Sequence, residues 1–168
     1  MPSLFDIVAH TPLWVWPLMA FILMLGWYGL RPRTVAPSRL AILPLVGLGT
    51  SLATILQSAQ PAVAAAGWAV TLLAALPLGY AIGRRRAVRL LENGRLEIAG
   101  GWFMLGFGLS IFAARYTLGV LFGVLPALRV EPLWIGLSGG VGGLVAGIGI
   151  GWLAGLLLRA RRPSVVEG

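Results

Sequence analysis

Residues 133–158 read LWIGLSGGVGGLVAGIGIGWLAGLLL, without one charged side chain. A hydrocarbon core about 30 Å thick takes about 20 helical residues to cross, so this run predicts a membrane-spanning helix. Its glycines are periodic: Gly139, Gly143, Gly147, Gly151 and Gly155 recur at every fourth position, which places them on one helix face. Lipid offers two helices no hydrophobic reason to associate, so close van der Waals contact between small faces must hold them. A glycine zipper of this kind serves either helix packing inside the bundle or an oligomer seam, and the sequence leaves both open. Gly106, Ser110 and Ala114, the pair Gly119 and Gly123, and the series Ala75, Gly79 and Gly83 offer complementary small faces.

Four further runs have the same character, at 12–30, 39–56, 62–83 and 102–124. The expected fold is an all-α membrane protein of five transmembrane helices, forming a single integral membrane domain over residues 1–168. Composition agrees, with 58% hydrophobic and only 11% charged residues, where a soluble domain carries about a quarter charged. Punctuation agrees too. Thr11-Pro12 reads as an N-cap followed by proline at the first helical position. Trp14, Trp16, Trp102 and Trp134 fall near helix starts, at headgroup depth. Pro61 and Pro132 mark turns, and Pro17, Pro44 and Pro77 lie inside spans, where each tends to kink its helix. No removable signal peptide is expected, because the N-terminus lacks a basic region and a small-residue cleavage site.

The net charge of +8 comes from 13 basic residues, all arginine. Their distribution excludes nucleic-acid binding, which needs a continuous basic surface. Arg31, Arg33 and Arg39 occupy the first loop, Arg84, Arg85, Arg86, Arg89 and Arg95 the third, and Arg159, Arg161 and Arg162 the tail. The opposite side carries only Arg129. Arginine-rich loops stay in the cytoplasm, so the N-terminus, with Asp6 and His10, is expected outside and the C-terminus inside. Within the third loop, residues 87–99 predict a short cytoplasmic β-hairpin turning at Asn93-Gly94. Glu92 and Arg95 would flank that turn, and Leu91 would sit across from Leu96.

Arg115 is the one charge well inside a span. By depth it matches Ser51 and Thr54 of the second run and Thr71 of the third, with Tyr116 beside it. These residues form a candidate binding layer. All five acids, Asp6, Glu92, Glu97, Glu131 and Glu167, lie outside the spans, so Arg115 has hydroxyls, carbonyls, Glu131 reached by snorkelling, or an anionic ligand as partners. A guanidinium suits a carboxylate or phosphate, and an intramembrane charge marks a functional site by default. A purely structural tie between helices fits the same residues.

Signals for an enzyme are thin. Gly136-Leu137-Ser138-Gly139 matches a serine-nucleophile pattern, but the lone histidine, His10, precedes the first helix, so no general base is in reach. Cysteine is absent, which removes thiolate chemistry and leaves no metal-ligand set. No cofactor and no metal is expected.

His10-Thr11-Pro12-Leu13-Trp14-Val15-Trp16 opens the first run and Gly29-Leu30-Arg31-Pro32-Arg33 closes it; Gly100-Gly101-Trp102 follows the hairpin, and Phe112 to Tyr116 lies in the fourth run. In these motifs the chain resembles an uncharacterised family of small bacterial inner-membrane proteins, a domain of unknown function. Relatives more often show serine at the position of Gly101 and lysine at that of Arg115. The resemblance implies a multi-pass protein of the bacterial cytoplasmic (inner) membrane and no particular activity. The leading expectation is a non-enzymatic accessory or assembly subunit, with the lipid bilayer and a homo-oligomer or membrane partner protein as its partners. The alternative is a small permease or an anion- or lipid-binding protein centred on Arg115, whose partner would be an anionic small molecule or lipid headgroup.

Overall fold

The structure, a computed structural model, describes residues 13, 15–91 and 94–160. In chain order the described elements are α1 (Val15–Gly29), β1 (Arg33–Val35), α2 (Pro37–Leu56), α3 (Pro61–Arg85), β2 (Val88–Leu90), β3 (Leu96–Ile98), α4 (Phe103–Val124), a 3-10 turn (Pro126–Arg129) and α5 (Pro132–Ala160). Four helices, α2 to α5, are long and apolar enough to cross a membrane. The described part of α1 is shorter but equally apolar. The expected cap at Thr11-Pro12, together with Asp6, His10, Trp14, Glu92, Asn93, Arg161, Arg162 and Glu167, lies outside the described residues.

Proline begins three of the helices. Pro37, Pro61 and Pro132 each occupy the first helical position, where a missing N–H removes no intrahelical bond. Pro44 and Pro77 lie within α2 and α3. Pro44 packs against α5, its Cβ 3.5 Å from where a Cβ on Gly149 would stand.

α5 is the axis of the bundle. It is apolar on all sides, so polarity cannot select an inner face; side-chain size selects it instead. Its buried residues include Gly139, Gly143, Gly147, Gly151 and Gly155, with Ala146, Trp152 and Leu156. α3 lies along this face more extensively than any other element, and α2 packs beside it. α1 and α4 form a second pair. A Cβ on Gly26 would strike the Leu105 side chain, and one on Gly29 would come within 3.2 Å of Met104 Cβ. α4 buries none of its own residues.

One end of the bundle is closed by a sheet that the sequence only half predicts. The hairpin of β2 and β3 is present, but β1, from the α1–α2 connection, pairs antiparallel with the free edge of β3, giving the order β1-β3-β2. The expected two-stranded hairpin is therefore a three-stranded sheet. An isolated hairpin is marginal in water, and the third strand supplies the missing edge. Leu40, Leu96, Ile98, Trp152 and Leu156 form one buried cluster, so the inner face of the sheet plugs the ends of α2 and α5.

The turn also differs from expectation. Leu90, not Leu91, is opposite Leu96, while Leu91 N–H donates to the Arg95 carbonyl at 2.9 Å. Gly94 takes φ +72°. A three-residue loop ending in a left-handed glycine is a standard hairpin closure, and the extra loop residue shifts the register by one.

Because β1 and the β2–β3 hairpin share a sheet, the first and third loops lie at one end of the bundle. At the other end, Gln60 Nε2 donates to the Val130 carbonyl at 3.0 Å and ties the second loop to the fourth. Apart from Arg115 and Arg129, every described arginine belongs to a segment at the sheet end.

Candidate functional site

The glycine face of α5 meets the backbone of α3 and not the small residues of α4. A Cβ on Gly139, Gly143, Gly151 or Gly155 would collide with the carbonyl of Ala64, Trp68, Leu76 or Tyr80 respectively, and one on Gly147 would come within 2.5 Å of the Leu72 carbonyl. The complement is mutual. A Cβ on Gly79 would strike the Ile148 carbonyl, and one on Gly83 the Trp152 carbonyl. Of the small series named from the sequence, Ala75, Gly79 and Gly83 are the partner face. Gly106, Gly119 and Gly123 of α4 have nothing within 4 Å of a Cβ position. The reason is geometric: α4 pairs with α1 and touches α5 only sparsely. The glycine repeat is thus occupied within the chain.

The polar layer around Arg115 is brought together only in part. Ser51 is 2% exposed. Its hydroxyl donates to the Leu48 carbonyl at 2.8 Å and accepts the Trp68 indole N–H at 3.1 Å, which ties α2 to α3. Gly142 of α5 lies between this pair and Arg115. A Cβ there would stand 2.8 Å from Ser51 Cβ, 3.2 Å from Arg115 Nη2 and 3.5 Å from Trp68 Cδ1. The absence of a side chain on Gly142 therefore admits the guanidinium from α4 to the α2–α3–α5 interface.

Thr71 sits elsewhere. Its hydroxyl lies 2.8 Å from the Gly140 carbonyl of α5 and 2.9 Å from the Gly67 carbonyl of its own helix. It ties α3 to α5 rather than reaching Arg115. Thr54 bonds back to the Thr50 carbonyl at 2.9 Å within α2. Tyr116 stacks on Phe112 with ring centroids 5.9 Å apart. So Ser51 and Arg115 converge, Trp68 and Gly142 join them, and Thr71 and Thr54 serve separate helix contacts. Each hydroxyl has an internal partner, as lipid surroundings require. Among the described residues no acidic side chain pairs with Arg115, and Glu131 lies exposed just ahead of α5. Depth along the helices could suggest Ser51 but not Trp68 or Gly142, because an indole and a glycine carry no polar signal in a hydropathy pattern.

The outer side of α4 is unusual in another way. Gly106, Ser110, Ala113 and Thr117 are all exposed. At about 100° per residue they share one stripe, with Arg115 about 180° away on the inner side.

A second cluster went unread in the sequence because its members lie in separate segments. Arg31, Arg33, Arg86, Gly101, Phe103 and Trp152 line one shallow recess beneath the sheet.

An uncharacterized protein of Pasteurella multocida (strain Pm70) is 36% identical to this chain over 66 residues, which is 39% of this chain and 52% of that protein. The chain therefore spans about half the length of the curated relative it matches. No protein-family model and no solved structure matches the chain. In sequence the chain is similar to an uncharacterized protein, and among its described residues are four helices long and apolar enough to cross a membrane.

Proposed function

We propose that this chain is a multi-pass protein of the bacterial inner membrane, with five spans, its N-terminus outside and its C-terminus in the cytoplasm. In this reading it performs no chemistry of its own and acts as an accessory or assembly subunit. The orientation draws its support from the arginines, which cluster at the sheet end where positive-inside loops belong.

The observation that carries the subunit reading is the outer stripe of α4. A lipid-facing helix surface is usually made of large apolar side chains, whereas small residues at helical spacing suit a second helix. Gly106, Ser110, Ala113 and Thr117 are small and uncovered, while the glycines of α5 are already covered by α3. The docking face is therefore assigned to α4, and the exposed side of the sheet (Thr34, Arg89 and Glu97) extends it into the cytoplasm. The test is native mass spectrometry of the protein released from its own membranes, compared with Ser110→Leu and Ala113→Leu. A stoichiometric partner or second copy in the wild type, lost in both variants while the monomer stays folded, is the expected outcome. A wild-type protein that is monomeric and alone overturns the reading.

A second reading centres on Arg115 as the contact of a small permease or anion-binding protein. It is favoured by one observation: the guanidinium enters the helix interface beside Gly142 with no carboxylate among the described residues to meet it. Arg115→Leu should then abolish binding or flux of an anion while insertion is unaffected, and unchanged binding removes this alternative.

A further inference from the structure

Every polar side chain that lines the recess beneath the sheet is a hydrogen-bond donor: Arg31, Arg33, Arg86 and Trp152. Arg33 belongs to β1, and its cross-strand partner is Ile98, which is buried toward the bundle. Side chains alternate across a strand, so Arg33 shares the inner face with Ile98 and Val88, while Glu97, Thr34 and Arg89 share the outer face. The sheet thus separates the one acid of this region among the described residues from the inner arginine.

Arg86 enters from the end of α3. Its guanidinium lies 5.7 Å above the Phe103 ring and reaches the Gly100 carbonyl only at 3.5 Å. Gly101 permits this, because a Cβ there would collide with Arg86 Nη1. Arg31 follows from the end of α1. Among the described residues no acid pairs with Arg31, Arg33 or Arg86.

Two further donors belong to residues that line the same space. Phe103 and Met104 line it, and they form the first turn of α4, whose N-cap, Trp102, makes no side-chain capping bond. The N–H groups of a first helical turn attract anions. Trp152 lines the recess from α5; it is 5% exposed, and its indole N–H is buried without an acceptor among the described residues. A buried polar group is normally bonded, so an orphan donor calls for a partner.

The recess holds only about 20 Å³ of space, room for about one water-sized oxygen. Such a site grips part of a ligand whose remainder stays outside. Residues close in the chain to its lining give the depth: Trp27, Tyr28 and Trp102 are exposed, the last by 72%, and exposed tryptophan and tyrosine at helix ends sit at the headgroup layer. Basic pockets at the cytoplasmic ends of membrane helices suit phosphate-bearing headgroups.

We propose that this recess, formed by Arg31, Arg33, Arg86, the Trp152 indole N–H and the first turn of α4, binds a phosphate group presented by an anionic phospholipid. It is separate from Arg115 and from the outer stripe of α4, and it rests on the chain lying in a membrane but not on its having a protein partner.

The test uses the full chain in detergent, titrated with phosphatidylglycerol, with phosphatidylcholine and with inorganic phosphate, and read by native mass spectrometry. Wild type should retain phosphatidylglycerol preferentially. Arg33→Gln and Arg86→Gln should each weaken retention about fivefold, and Trp152→Phe, which keeps an aromatic ring but loses the pyrrole half of the indole with its N–H, about tenfold. Arg129→Gln, at the other end of the bundle, should change nothing. Thermal unfolding without lipid shows that each variant is folded, and Arg33→Gln, on a short strand, is the one least able to disturb the helices. Inorganic phosphate bound with the same arginine dependence, and without lipid preference, overturns the lipid as the source. Retention of phosphatidylglycerol unchanged in Arg33→Gln, Arg86→Gln and Trp152→Phe overturns the site. The same spectra report any protein partner separately, so failure of the subunit reading is distinguishable.

Discussion

Gly151 of α5 stands against the carbonyl oxygen of Leu76 on α3, with no room for a methyl group between them. The same relationship repeats from Gly139 to Gly155, so the two helices meet backbone to backbone. In lipid this contact area is the main source of helix association. Gly151→Ala should therefore destabilise the protein by about 1–3 kcal/mol, the usual penalty for overpacking, and Gly147→Leu should abolish a folded product. Gly119→Ala, with nothing within 4 Å of its Cβ, should stay within about 0.5 kcal/mol of wild type. Thermal unfolding in a fixed detergent ranks the two alanine variants, the yield of folded protein reads Gly147→Leu, and equal stability of Gly151→Ala and Gly119→Ala would contradict the packing described.

The bond from the Trp68 indole to Ser51 Oγ joins α2 to α3 in the middle of the bundle. Hydrogen bonds between membrane helices are worth about 0.6 kcal/mol on average. Trp68→Phe should cost about that much beyond its packing change, and Ser51→Ala slightly more, because it leaves an indole N–H without its acceptor. A double-mutant cycle checks the pair. A coupling energy near zero would mean the bond contributes nothing.

Gly94 closes the hairpin with φ +72°, and a Cβ there would meet no atom within 4 Å. The cost of Gly94→Ala is therefore conformational alone, about 1–2 kcal/mol. It should fall on the sheet and not on the helices. Faster proteolysis at residues 91–95, with an unchanged melting temperature of the bundle, is the expected result, and unchanged cleavage would show that another turn is available.

Orientation has a direct assay. A reporter fused after Arg162 should read cytoplasmic, and a cysteine placed at Thr34 should be labelled only from that side, because β1 shares a sheet with the arginine-rich third loop. A periplasmic signal at either position reverses the proposed topology.

How much of this was legible in the chain depends on the range of the interaction. The helices were legible because hydropathy is a local property: about 20 apolar residues span a bilayer wherever they pack. Three helices start at Pro37, Pro61 and Pro132, within two residues of the expected bounds, so the two prolines read as turn residues, Pro61 and Pro132, are themselves the first helical residues. β1 was not legible. Arg33-Thr34-Val35 has no alternating apolar pattern and becomes a strand only because the edge of β3 is free beside it. The hairpin register also escaped, since Asn93-Gly94 suits a two-residue turn as readily as a longer loop closed by Gly94.

Sequence alone determined that this chain carries runs long and apolar enough to cross a membrane, where its helices fall and which loops carry the arginines, because each of these depends on composition over a local stretch of about 20 residues. The spacing of Gly139 to Gly155 likewise announced a close helix contact. Only the tertiary structure decided that α3 fills that contact, that Gly142 admits Arg115 beside Ser51, and that Arg31, Arg33, Arg86 and Trp152 share one recess. Those facts depend on segments distant in the chain meeting at a few ångströms, and no local pattern of residue types encodes which of several small faces will meet.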